Sequence, residues 1–241
     1  MRIGFLVLAA AAIAWPAHAQ TLRLCRPVEQ ARPRSAADSA RDSVRSAFRD
    51  SVQTELMRAA RGAGVAEPGG IVLVQRPPDA GAARVWTYRS NVPDSVFAAV
   101  GAARADLVAR WPNPRVSVMD FRLDPLDLPD SPSMECLPYV MDPEQFSLDL
   151  HRMAERFPAQ PGASTVVALS VRMLVTRDGE VAYAEASRPS WNAEVDREVV
   201  RLAERLRFQP ASLGVVPIDV WVTQPVEVLL PDAGRLRTGP E

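Results

Sequence analysis

Histidine is nearly missing from this chain: His18 and His151 are the only two among 241 residues. His18 lies in an N-terminal segment with the form of a cleaved signal, so only His151 and two cysteines, Cys25 and Cys136, remain, too few for a convincing zinc site. No Gly-x-Ser-x-Gly elbow, His-Glu-x-x-His pair, Walker-type glycine loop or paired-cysteine knuckle occurs either. An enzyme would have to build its site from residues the sequence does not advertise, and the expectation is a chain without catalytic residues, metal or cofactor. Neither sign of charge dominates, because 28 Arg and Lys against 29 Asp and Glu leave a net charge of −1 and a pI near 6.2. Such a balance gives no general attraction to nucleic acid or to an anionic membrane.

Long hydrophobic runs are missing too. The longest, from Ile3 to Trp15, falls short of the about 20 apolar residues that a membrane helix needs. What it offers instead is the form of an export signal. Met1-Arg2 supplies the positive charge, and Ala17-His18-Ala19 before Gln20 is a small-x-small cleavage site. The reading is a signal peptide over 1–19 and a periplasmic mature chain; the alternative is an uncleaved anchor of marginal length. In an oxidising compartment a cysteine pair is more often bonded than free, so Cys25 and Cys136 are expected to form a disulfide. Closing a loop of about 110 residues is worth about 4 to 5 kcal/mol in the chain-entropy model.

The mature chain begins with a helical segment, 20–66. Val44, Phe48, Val52 and Leu56 recur every four residues, a narrow apolar stripe on a polar helix, and Arg-Asp-Ser-Val occurs at Arg41 and again at Arg49. The stripe docks on a neighbour, or the helix is solvated and frayed; the spacing allows both. Residues 67–124 read as strand, turn, strand, helix, strand: Ile71 to Val74, a turn at Pro77 to Gly81, Arg84 to Tyr88, a helix capped by Asp94 and running through Ala109, and Arg115 to Leu123. A proline-rich linker and helix fill 125–162, with Asp142-Pro143-Glu144-Gln145 as the helix start and Phe146, Leu150, Met153 and Phe157 as its apolar face.

Residues 163–231 carry the clearest pattern. Val167, Leu169, Val171, Met173 and Val175 alternate with polar neighbours, Asp178-Gly179 is a hairpin turn, and Val181 to Ala186 returns. Asn192 caps a helix with Val195, Val199, Leu202 and Leu206 on its buried side. A last strand from Pro217 sets Ile218, Val220, Val222, Val226 and Val228 on one face, with Asp219, Thr223 and Glu227 on the other. Residues 232–241 form a tail. Since 67–124 has the same order, it reads as a degenerate second copy of this ββαβ domain or as an unrelated α+β segment.

The Asp178-Gly179 hairpin, Val195-Asp196 at the helix start, Arg207-Phe208-Gln209-Pro210-Ala211, Gly214, Pro217-Ile218 and Pro225-Val226 together resemble the C-terminal domain of TonB-type proteins. The resemblance implies an α+β fold in which a small antiparallel sheet packs on a helix. It also implies a non-enzymatic periplasmic domain that takes a short extended segment of an outer-membrane receptor as an added strand. Pro225 lacks a ladder donor, which places the last strand at a sheet edge. By position the partner-binding strand is Ile218, Asp219, Val220, Trp221, Val222 and Thr223, with Trp221 contacting the partner or packing on its own domain. The expected partner is an envelope or outer-membrane protein peptide, and self-pairing of the edge into a homodimer is the competing use. A membrane-tethered energy transducer for outer-membrane transport is the alternative function. The long proline-rich spacer such a transducer needs is missing here.

Overall fold

The structure is a computed structural model and describes residues 25–27, 36–76, 83–103, 118–124, 134–159 and 164–232. The signal-peptide reading of 1–19, the Pro77 to Gly81 turn, Leu107 and Val116, and Pro125, Pro129 and Pro132 lie outside them. So does the tail beyond Asp232. The fold is mixed α+β, with four helices and several small antiparallel sheets among the described residues. The chain divides into two units, 31–127 and the discontinuous 1–30 with 128–241.

The first unit contains α1 (Ala36–Gly62), β2 (Ile71–Gln75), β3 (Arg84–Tyr88), α2 (Asp94–Ala103) and β4 (Val118–Arg122). β2 is central in an antiparallel sheet of order β3-β2-β4. Its four apolar residues, Ile71 to Val74, are all buried, which is why this run does not alternate. The stripe on α1 docks only in its lower half. Val52, Leu56 and Ala60 are buried, Phe48 is half-buried, and Val44 remains 66% exposed, so the expected stripe is corrected at its N-terminal end. Asp94 stands at the start of α2, and its carboxylate accepts from the Thr87 amide at 2.8 Å and hydroxyl at 2.7 Å, tying α2 to β3.

The second unit holds β1 (Cys25–Pro27), β5 (Met134–Cys136), β6 (Tyr139–Val140), α3 (Pro143–Ala154), β7 (Val166–Val175), β8 (Val181–Arg188), α4 (Ala193–Ala203), β9 (Phe208–Gln209), β10 (Ala211–Leu213), β11 (Val216–Ile218) and β12 (Val220–Leu229). β7 lies at the centre of an antiparallel sheet of order β12-β7-β8. One face of that sheet, with Val167, Leu169, Val171 and Met173, is covered by Phe146, Leu150 and Met153 of α3 and by Val195, Val199 and Ala203 of α4. Burying each such side chain stabilises by about 1.5 to 3 kcal/mol, and this layer is the main source of the unit's stability. Asn192 caps α4 as its position predicts, its side-chain oxygen accepting from the amides of Glu194 and Val195. Asp142 makes no side-chain cap bond to α3, whose start rests on Pro143 instead.

Two further expectations are corrected. Segment 125–162 is not simply linker and helix, because β5 pairs with β1 and β10, and β6 pairs with β9. The last strand is not continuous from Pro217: β11 forms a hairpin with β10, Asp219 is the break, and β12 starts at Val220. Asp196, beside Val195 at the start of α4, is buried and accepts from the Ser190 amide at 2.9 Å and hydroxyl at 2.6 Å. The first unit runs α1-β2-β3-α2-β4, whereas in the second unit α3-β7-β8-α4 is followed by β9, β10 and β11 before β12; in both three-stranded sheets the first strand in sequence is central.

Candidate strand-acceptor edge

β12 pairs along its whole length with β7, and no other described strand pairs with it. In an antiparallel ladder, successive residues turn their N–H and C=O alternately toward the neighbour and away from it. The Leu230 amide donates to the Thr165 carbonyl at 2.7 Å, which continues this register and fixes its phase. Even-numbered residues of β12 therefore face β7. The odd-numbered ones, Trp221, Thr223, Pro225, Glu227 and Leu229, turn their main-chain groups to the outer edge. Pro225 falls in the outward set, so its missing N–H removes no bond to β7, the physical reason a proline is accepted there. Its carbonyl accepts from the Gln224 side chain at 3.2 Å. The middle of the edge thus offers no donor and an acceptor already in use, and Thr223 is the exposed outward-facing residue before it.

The predicted residues now separate into different roles. Ile218 belongs to β11 and pairs with Ala211. Asp219 accepts from the Arg177 amide at 2.8 Å and so holds the β7–β8 turn. Val220 and Val222 give their main chains to β7 and pack against the core. Trp221 is half-buried on the face of the sheet away from the helices. The Arg172 guanidinium lies 3.6 Å from its ring centre, and Tyr183 meets it edge-on at 6.1 Å. Arg172 also pairs with Glu185 at 3.0 Å, and the Tyr183 hydroxyl donates to Glu185 at 3.3 Å. Burial first, then the charge of Glu185 and the hydrogen bond to it, holds the Tyr183 phenol neutral well above its ordinary range. These contacts fix the orientation of Trp221 beside the edge. Thr223 remains the exposed residue of the group.

Beside this edge runs a groove of about 380 Å³, lined by Glu135, Cys136, Leu137, Pro138 and Ala211 opposite Ile218 to Thr223. Most of that lining is apolar, and Leu137 is 42% exposed. The sequence pattern gave no site role to Leu137, Pro138 or Ala211, the last of which entered only through the family motif. An apolar Leu placed between a bonded cysteine and a proline was the only local signal. Cys25 and Cys136 are bonded and stand directly opposite each other in the β1–β5 pair, so the cystine forms part of the groove wall. Among the described residues no group of three or more His, Cys, Asp or Glu side chains gathers as a metal would require. Compared with protein-family models, with curated proteins and with solved structures, the chain finds no match.

Proposed function

We propose that this chain is a non-enzymatic binding module of the periplasm that takes an extended segment of an envelope or outer-membrane protein as a further strand on β12. The observation that carries the reading is the outward-facing main chain of the exposed Thr223 at a sheet edge, bordered by an apolar groove. Strand addition needs both features. Main-chain bonds supply affinity, and a flanking pocket for alternate side chains supplies selectivity. The resemblance of 163–231 to the TonB C-terminal domain supports the same use. Residues 67–124 run strand, strand, helix, strand with the first strand central, as β7, β8, α4 and β12 do once β9 to β11 are set aside, which supports reading 67–124 as a degenerate second copy of that domain.

Thr223→Pro tests the reading. It deletes one outward donor at a position of the same set as Pro225, without removing a bond to β7. Peptides captured from an envelope extract by the oxidised chain should bind the variant about tenfold more weakly or worse, since a lost hydrogen bond and an obstructing ring together exceed about 1.4 kcal/mol. On binding, the Thr223 amide should exchange more slowly in the wild type. Equal capture by both proteins, at unchanged circular dichroism, would sink the proposal.

A further inference from the structure

Thr223, Pro225, Glu227 and Leu229, whose main chains turn away from β7, are all exposed, so the second half of the β12 edge is open along its length. An edge of this kind is a template for the same strand of another copy. It is bounded at both ends. Asp219 breaks the chain between β11 and β12, and beyond Leu229 the outward position is Pro231, which has no N–H and whose carbonyl accepts from the Ala159 amide at 2.9 Å. The residues that could pair outward are therefore at most Trp221, already held by Arg172 and Tyr183, with Thr223, Pro225, Glu227 and Leu229. In an antiparallel ladder, outward residues of the two strands meet as pairs that exchange two N–H to C=O bonds. Two-fold symmetry adds that if residue i meets j of the other copy, then j meets i.

We infer that Pro225 acts against a second copy of this chain, keeping the β12 edge from pairing with itself. Every two-fold register that engages three or more of these outward residues in each copy includes Pro225 of both copies, and each proline deletes one ladder bond. The longest register sets Trp221 opposite Leu229 and Thr223 opposite Glu227, which puts Pro225 opposite Pro225 on the axis. That pair exchanges no bond at all and brings two rings face to face. Its carbonyls would also have to give up the Gln224 side chain, which donates to Pro225 at 3.2 Å. The register centred on Glu227 sets two carboxylates against each other, which is unfavourable in its own right. A foreign segment beside Thr223 meets none of these penalties, since it carries no second Pro225 and can end before reaching the first. The inference rests on the geometry of the edge and holds whether or not such a segment binds.

The test is a sedimentation series on the full oxidised chain. Pro225→Thr restores the outward donor without touching a bond to β7, and it should tighten self-association by about tenfold or more relative to the wild type, because two ladder bonds return to each dimer. The restored amide at position 225 should exchange more slowly as protein concentration rises. Ala168→Thr, which places the same side chain on an exposed position of β7 away from the edge, should change nothing. Adding Thr223→Pro to Pro225→Thr leaves only the register that opposes Glu227 to Glu227, and it should abolish the gain. Pro225→Ala restores the same donor with a side chain less suited to a strand; it should give a smaller gain and serves if Pro225→Thr does not fold. A folded Pro225→Thr chain that associates no more tightly than the wild type overturns the inference, as does a gain that survives Thr223→Pro.

Discussion

Gly179 shows how one residue joins two parts of the second unit. It sits at φ +79° in the β7–β8 turn, and a Cβ there would lie 2.0 Å from the Phe208 carbonyl oxygen. The same turn is gripped from two sides, by the Phe208 amide donating to the Gly179 carbonyl at 2.8 Å and by Asp219 accepting from Arg177. Positive φ alone would admit Asn, but the close carbonyl admits no side chain at all. Gly214, at φ +61° with nothing within 4 Å of its would-be Cβ, has only the first constraint. Gly179→Asn should therefore cost at least about 2 kcal/mol in urea denaturation, while Gly214→Asn should stay within about 1 kcal/mol. Equal midpoints for the two variants would remove the proposed grip of β9 on the turn.

At the scale of elements, the alternation along β12 makes neighbouring prolines unequal. Val222→Pro removes an amide that faces β7 and leaves a buried carbonyl without its donor, whereas Thr223→Pro removes one that faces outward. The first should lower stability by about 2 kcal/mol or more and the second by under about 1 kcal/mol, read from thermal unfolding. Similar losses for both would mean that the ladder phase is wrong. How much of this was legible in the sequence depended on range. The β7–β8 hairpin and the buried stripe of α4 were visible because the period of 2, the Asp-Gly turn and the spacing of Val195 and Val199 are local signals. β5, β6 and β9 span only two or three residues, too few to show a period, and exist because distant partners supply the ladder. The break at Asp219 was hidden, since Ile218 and Val220 keep the alternation across it. Arg49 and Gln53 read as a solvated helix face because Asp120, which Arg49 holds, is 71 residues away. Of the candidate site, the edge position of β12 was legible from Pro225, but the opposite wall of the groove was not.

For the whole molecule the decisive bond is Cys25–Cys136. Among the described residues β1 is three residues long and pairs with β5 alone, so the cystine is expected to be what keeps it in the sheet. All of the unit 31–127 lies in sequence between the two cysteines, which are 111 positions apart. In the chain-entropy model the stabilisation depends on how much of that loop is unfolded when the second unit unfolds. If both units unfold together, the bond contributes about 5 kcal/mol; if the inserted unit stays folded, the effective loop is two or more halvings shorter, and the contribution falls by about 1 kcal/mol. Urea denaturation of the oxidised chain against Cys25→Ser with Cys136→Ser should therefore show a large loss of midpoint for the unit holding β7 and β12. The core of Val52, Leu56, Phe97 and Phe121, in the other unit, should unfold with an unchanged midpoint if it unfolds independently. Since Cys136 also lines the groove beside Ile218 to Thr223, the same double variant at low urea should bind a captured peptide more weakly than the wild type. An unshifted midpoint for the β7 and β12 unit would show that β1 stays in place by its three residue pairs alone, and that the cystine is dispensable to the fold.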